Sequence, residues 1–93
     1  MLFRSLATPL PNPSRGPATF EFTIPSAGSV DLSVLDLAGR RLARLQNGLL
    51  PAGPHRVQWS GRDAADRRLE PGVYWVSLEF HGERRSRRLA IVD

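Results

Sequence analysis

At ninety-three residues, with 41% hydrophobic and 24% charged side chains, the chain suits one folded domain and is too apolar for a disordered tail. It contains no cysteine, which excludes a disulfide scaffold and a thiolate metal site, and no apolar run approaches the length of a membrane-spanning helix. The net charge is +4 and all thirteen basic residues are arginine; GC-rich codon usage accounts for the missing lysine, so charge alone names no partner.

The first five residues, Met1-Leu2-Phe3-Arg4-Ser5, have neither a signal-peptide apolar run nor strand alternation. One reading frame of a common short-read sequencing adapter encodes an initiator followed by Leu-Phe-Arg-Ser. Residues Met1 to Ser5 are therefore expected to be adapter-derived, and the chain to be the tail of a larger protein. On that expectation residues 1–7 form a disordered or artefactual extension, and the domain runs from 8 to 93.

Alternation then predicts strands almost throughout. A short one is possible from Pro9 to Asn12, ahead of the half-buried Phe20-Glu21-Phe22-Thr23-Ile24. Pro25 and the Ser26-Ala27-Gly28-Ser29 cluster turn the chain. Val30 to Val34 alternates again, Leu35-Asp36-Leu37 continues it, and Ala38-Gly39 makes a tight turn. Arg40 to Gln46 reads as a short strand or irregular edge closed by Asn47-Gly48. After a loop from Leu50 to Pro54, His55, Val57 and Trp59 share one strand face. Residues 61–72 form the longest loop. Tyr74, Val76, Leu78 and Phe80 mark a central strand with Val73 and Trp75 on its other side. His81-Gly82 turns the chain into a last strand, Arg84 to Val92, whose Leu89 and Ile91 face inward.

Turn signals every eight to twelve residues, with no helix and no repeat, predict an all-β immunoglobulin- or fibronectin-III-like sandwich of about seven antiparallel strands. Phe20, Phe22, Val34, Val57, Trp59, Tyr74 and Leu78 are its expected core.

Catalytic and metal chemistry find little support. His55 and His81 have no partner at ligand spacing. Asp63, Asp66 and Glu70 share the long loop, but Ala64 and Ala65 and three nearby arginines disfavour calcium; aspartates capping their own turn account for it. No serine nucleophile motif or phosphate-cradling glycine loop occurs, so no enzyme activity, cofactor or metal is expected. The run Arg84-Arg85-Ser86-Arg87-Arg88 splits between two strand faces and reads as a solvated edge; without aromatic stacking partners it does not point to nucleic acid. Trp75 is the candidate for sugar stacking, while Trp59 and Tyr74 belong to the core.

Three stretches in order are more specific than any alone. Asn12-Pro13-Ser14-Arg15-Gly16 fits N-P-x-x-G; Leu35-Asp36-Leu37-Ala38-Gly39-Arg40 fits Y/L-D-x-x-G-R. Trp59-Ser60-Gly61-Arg62-Asp63 with Pro71-Gly72-Val73-Tyr74 fits W-x-G-x-D and G-V-Y. From Thr8 to Asp93 the chain resembles the C-terminal immunoglobulin-like modules that include type IX secretion sorting domains and the Ig-like domain of flagellar hook-capping proteins. Arginine stands where lysine is common at the C-terminal end, and Ser60 where Asp or Asn is frequent. The resemblance implies a non-catalytic sorting or attachment module of an exported, cell-surface or extracellular bacterial protein. Its implied partners are a secretion or outer-membrane sorting machinery, or another cell-surface protein, and the parent protein's upstream domains. Arg40, Arg41, Arg87, Arg88, Leu89 and Ile91 are the expected recognition surface. A hook-cap-like assembly module and a carbohydrate-binding module using Trp75 are the alternatives.

Overall fold

The alternation of apolar and polar residues translates directly into buried and exposed faces in the computed structural model, which describes residues 5–93. Seven strands follow in order: β1 (Ser5–Leu6), β2 (Ala18–Ile24), β3 (Gly28–Leu35), β4 (Arg41–Leu50), β5 (Gly53–Trp59), β6 (Gly72–Phe80) and β7 (Glu83–Ile91). In β2, Ala18, Phe20, Phe22 and Ile24 are buried while Thr19, Glu21 and Thr23 point outward. The same period of two aims Val30, Leu32 and Val34 of β3, and Val76, Leu78 and Phe80 of β6, at the other side of the same core.

Two antiparallel sheets result, one ordered β1-β2-β5 and the other β4-β3-β6-β7. The fourth strand stays hairpin-paired with the third instead of crossing to the smaller sheet, as it does in a constant-type immunoglobulin domain. Phe20, Phe22 and Ile24 meet Leu32, Val34, Val76, Leu78 and Leu89 between the sheets, and all of these are essentially inaccessible to solvent. Each contributes about 1.5–3 kcal/mol by leaving water. This core carries a small domain with no disulfide.

Three expectations from the sequence are revised. The N-terminal extension was drawn through Ala7, but Ser5–Leu6 pairs with Thr23 and Phe22 of β2, and Leu6 is buried in the core. Met1 to Arg4, the rest of the stretch read as adapter, lie outside the described residues. The edge segment from Arg40 is a ten-residue strand that runs on through Asn47-Gly48 to Leu50. Register shifts between Leu32 and Ser33 and between Val34 and Leu35 accommodate it, and this is why its apolar spacing did not alternate cleanly. The short strand expected at Pro9–Asn12 is a single bridge, Leu10 to Thr19.

The lead-in motif fastens the C-terminal strand. The Asn12 side-chain amide behaves like a strand backbone: Nδ2 donates to the Arg88 carbonyl and Oδ1 accepts from the Ala90 N–H, both at 3.0 Å. Ser14 continues the pairing, donating its N–H to the Ala90 carbonyl and accepting from the Val92 N–H, both at 2.8 Å. Its buried hydroxyl donates to Pro17 O and accepts from Gly16 N–H. The turn then rests on the long loop. A Cβ on Gly61, where φ is +89°, would lie 2.6 Å from the Gly16 carbonyl carbon. Only glycine fits there, because both the backbone conformation and the closeness of the two backbones exclude a side chain.

Gly61→Ala is expected to cost about 2 kcal/mol or more in urea unfolding, because the methyl group meets backbone that cannot rotate away. Gly16→Ala should cost less, since its φ of +135° strains a side chain but nothing lies near the Cβ position to collide with it. Equal losses would mean that the contact between the two glycines is not what locks the turn.

Candidate recognition surface

Asp36 and Asp63 build the same turn twice, at one end of the sandwich. Oδ1 of Asp36 accepts the N–H groups of Ala38 (2.9 Å) and Arg40 (2.8 Å). Oδ1 of Asp63 likewise accepts from Ala65 (2.9 Å) and Arg67 (3.0 Å). In each, the aspartate N–H donates to the carbonyl of the arginine four residues on, and its own carbonyl accepts from the residue before that arginine. That fourth turn position has positive φ in both, 88° at Gly39 and 63° at Asp66. Aspartate tolerates the left-handed region better than most side chains, so it can stand in for glycine.

Each arginine returns to its aspartate through Nε, at 2.8 Å for Arg40–Asp36 and 3.6 Å for Arg67–Asp63. The carboxylates are sheltered, each 19% exposed, whereas the guanidinium groups stand out at 81% and 79%. The turns are linked, since Ala64 N–H donates to the Leu42 carbonyl. Tyr74 braces the same end, its hydroxyl donating to the Glu70 carbonyl at 2.6 Å. This is the geometry of the tyrosine corner of immunoglobulin-like sandwiches. Burial, and then the charges of Glu70 and Asp36, push the Tyr74 pKa up. Trp59 completes the frame from the core, its indole N–H donating to the Arg62 carbonyl.

The six residues expected to form one recognition surface are not brought together. Arg40 projects from the first aspartate turn. Arg41 and Arg88 lie on the outer face of the four-stranded sheet, Arg41 against Asp31 and Arg88 over the Trp75 ring. Arg87 Nε donates to the Leu6 carbonyl at 2.7 Å and so ties β7 to the N-terminal strand. Leu89 and Ile91 are core residues, 0% and 4% exposed, and offer nothing to a partner of the folded domain. The period of two that aimed them inward in the sequence is the physical reason. The second aspartate turn, which presents Arg67 as the first presents Arg40, has a signal in the sequence, the spacing Asp-x-x-x-Arg shared by residues 36–40 and 63–67.

His55 is held by its contact with the Pro51 carbonyl (2.7 Å), and His81 packs on Phe80 at the β6–β7 turn. Among the described residues, no three His, Cys, Asp or Glu side chains gather as a metal site.

With this geometry in place, the motif residues Asn12, Pro13, Gly16, Asp36, Gly39, Trp59, Gly61, Asp63, Gly72 and Tyr74 all fall within the stretch matched by the FlgD Ig-like domain, residues 12–83. The chain belongs to the FlgD Ig-like domain family. Comparison with the curated proteins returns no match.

Among solved structures, dimeric latent PorU from Porphyromonas gingivalis superposes with a TM-score of 0.75 at 18% identity, over 94% of this chain and 9% of that one. PorZ, a surface component of the type IX secretion system of the same organism, gives 0.66 at 22% identity over 96% of this chain and 12% of its own. The hook-capping FlgD of Xanthomonas campestris gives 0.64 at 23% identity over 87% and 61%. At such identities these likenesses establish the shared fold. This FlgD-like domain spans less than two thirds of each of those chains, and only about a tenth of PorU and of PorZ.

The backbone N–H groups of Arg40 and Arg67, before any other cause, hold the pKa values of Asp36 and Asp63 below the usual value. A lowered folded pKa means that stability from these groups is complete above the unfolded carboxyl value near pH 4 and is lost as pH falls through the folded values. Urea midpoints are expected to hold steady down to about pH 4.5 and decline below it. The decline should be shallower in the Asp36→Asn, Asp63→Asn double variant; an unchanged slope would contradict the assignment. Gly39→Ala should cost about 1 kcal/mol, whereas Asp66→Gly should be close to neutral, because only the first puts a side chain newly into the left-handed region.

Proposed function

We propose that this domain is a non-catalytic sorting and attachment module of an exported bacterial protein, recognised as a folded surface by a type IX-like secretion machinery. The observation that carries this reading is its near-complete superposition on PorU and PorZ, of which it matches only 9% and 12%. That is the relation expected of a self-contained module joined to larger parents, here including upstream domains. A binding role without catalysis is supported by the use of the charged groups. Asp36 and Asp63 are committed to their own turns, and Asp31, Glu21 and Glu79 to arginines. The exposed guanidinium groups of Arg40 and Arg67 are the contacts this reading selects, held in position by Asp36 and Asp63.

A second reading, a structural module of a hook-cap-like assembly, is favoured by the family match itself. It requires binding to a filament subunit or to copies of the same chain, and no dependence on position at a C-terminus.

The full chain fused to the C-terminus of a periplasmic reporter in a type IX-competent host should carry the reporter to the cell surface or medium. Arg40→Ser with Arg67→Ser should reduce that export several-fold while leaving the thermal midpoint nearly unchanged, since both side chains are exposed. Removing Leu89–Asp93 is no clean control, because it takes two core side chains with it. A folded fusion retained in the periplasm would reject sorting and leave the assembly reading.

A further inference from the structure

The outer face of the four-stranded sheet is an ordered grid, set by strand register. One row across the sheet is Arg41–Leu35–Trp75–Arg88. The next is Arg44–Ser33–Ser77–Ser86, and the third is Asn47–Asp31–Glu79–Arg84. Ser33 and Ser77 are 4% exposed, small residues forming the floor between two taller rows. Beside the first row the apolar surface widens, since Leu37 is 66% exposed and Val73 42%. Leu37 shares one shallow depression with Leu35, Trp75, Arg84 and Ser86.

Charge on this face is uneven. Glu79 is matched by Arg84 at 3.4 Å. Asp31 lies between two guanidinium groups, Arg41 at 3.1 Å and Arg44 at 3.4 Å, so one positive charge on the β4 side is uncompensated. Arg88, on the β7 side, forms no ion pair among the described residues and lies over the Trp75 ring, 6.0 Å from its centre. Surplus positive charge therefore flanks the Leu35–Trp75 apolar pair on both sides, from the Arg41–Arg44 pair that shares Asp31 on the β4 side and from Arg88 on β7. An apolar patch rimmed by polar groups, centred on tryptophan and flanked by arginine, has the composition of a protein-binding hot spot.

We propose that this face docks an extended protein segment of the pattern acidic–x–apolar–x–acidic, the apolar side chain seating on Leu35–Trp75 and the carboxylates meeting the Arg41–Arg44 pair, which shares one aspartate, and Arg88. The dimensions select the spacing. Arg41 and Arg88 are three strand spacings apart, about 14 Å. In an extended segment residues i, i+2 and i+4 share a face, and i to i+4 spans about 13 Å. Its position over the indole restrains the Arg88 guanidinium, whose N–H groups are then available to a carboxylate. A second copy of this chain is disfavoured, because two faces with surplus positive charge repel. This inference rests on the domain being a protein-recognition module, but not on which machinery reads it.

The test is isotope-shift mapping of the full chain with a short capped peptide carrying Glu-x-Leu-x-Glu. The Trp75 indole N–H and the amides of Leu35 and Arg88 are the reporters. Saturable shifts at all three are expected, absent with a shuffled peptide that places the glutamates side by side. Arg88→Ser and, separately, Trp75→Ser should each weaken binding by about tenfold. Arg56→Ser on the opposite sheet should leave it unchanged. Because Arg88 is exposed, its variant keeps the test valid if Trp75→Ser fails to fold. No shift at these reporters, or equal shifts with the shuffled peptide, overturns the proposal. Shifts with an oligogalacturonate but not with the peptide would overturn it too and assign the face to an anionic glycan. Each result is read in the isolated chain, so failure here is separate from failure of the export fusion.

Discussion

The close approach of Gly16 and Gly61 governs how this sandwich is closed. Two backbones in contact leave no room for any side chain, so the lead-in turn can sit in only one place against the long loop. From that place Asn12 and Ser14 reach the outer edge of β7 and supply the hydrogen bonds that a neighbouring strand would otherwise make. The C-terminal strand is thereby covered along Arg88–Val92, which limits pairing with other chains at that part of the edge. Arg87 adds a second tie, from β7 to the Leu6 carbonyl. The first and last segments of the domain hold each other, and the core residues Leu6, Leu89 and Ile91 stay enclosed because of it.

This has a consequence for recognition. A partner cannot read the apolar residues of the last strand while the domain is folded, since they face the core. What remains available is polar geometry on a rigid frame: arginines whose positions are fixed by neighbours instead of by their own flexible side chains. Arg40 and Arg67 are held through Nε by sheltered aspartates, Arg41 by Asp31 and Ser33, and Arg88 by the Trp75 ring. An arginine restrained beforehand loses less side-chain entropy on binding, which is how a surface of modest apolar area becomes selective.

Two separate surfaces follow from one topology. The aspartate turns occupy the end of the sandwich where the β3–β4 turn and the 61–72 loop meet, while the Trp75 grid occupies the outer face of the larger sheet. The chain shares its family with the FlgD Ig-like domain and its fold with PorU and PorZ, and a fold of this kind does not by itself fix a function.

Local chemistry made much of this legible. Alternation at Phe20–Ile24, Val30–Val34 and Tyr74–Phe80 determined strands and their inner faces, because a period of two leaves no other way to bury those residues. Asp36 with Gly39, and Asp63 in its loop, determined turns because their hydrogen bonds close within five residues. Tertiary structure alone decided the rest. Leu6 became core only through pairing with Phe22, too short a strand to alternate. β4 extended to Leu50 because bulges, which have no sequence period, absorbed its irregular spacing. Whether arginines distant in sequence share a face depended on register across strands. Arg41, Leu35, Trp75 and Arg88 form a row only because hydrogen bonds between strands align residues that chain order keeps far apart.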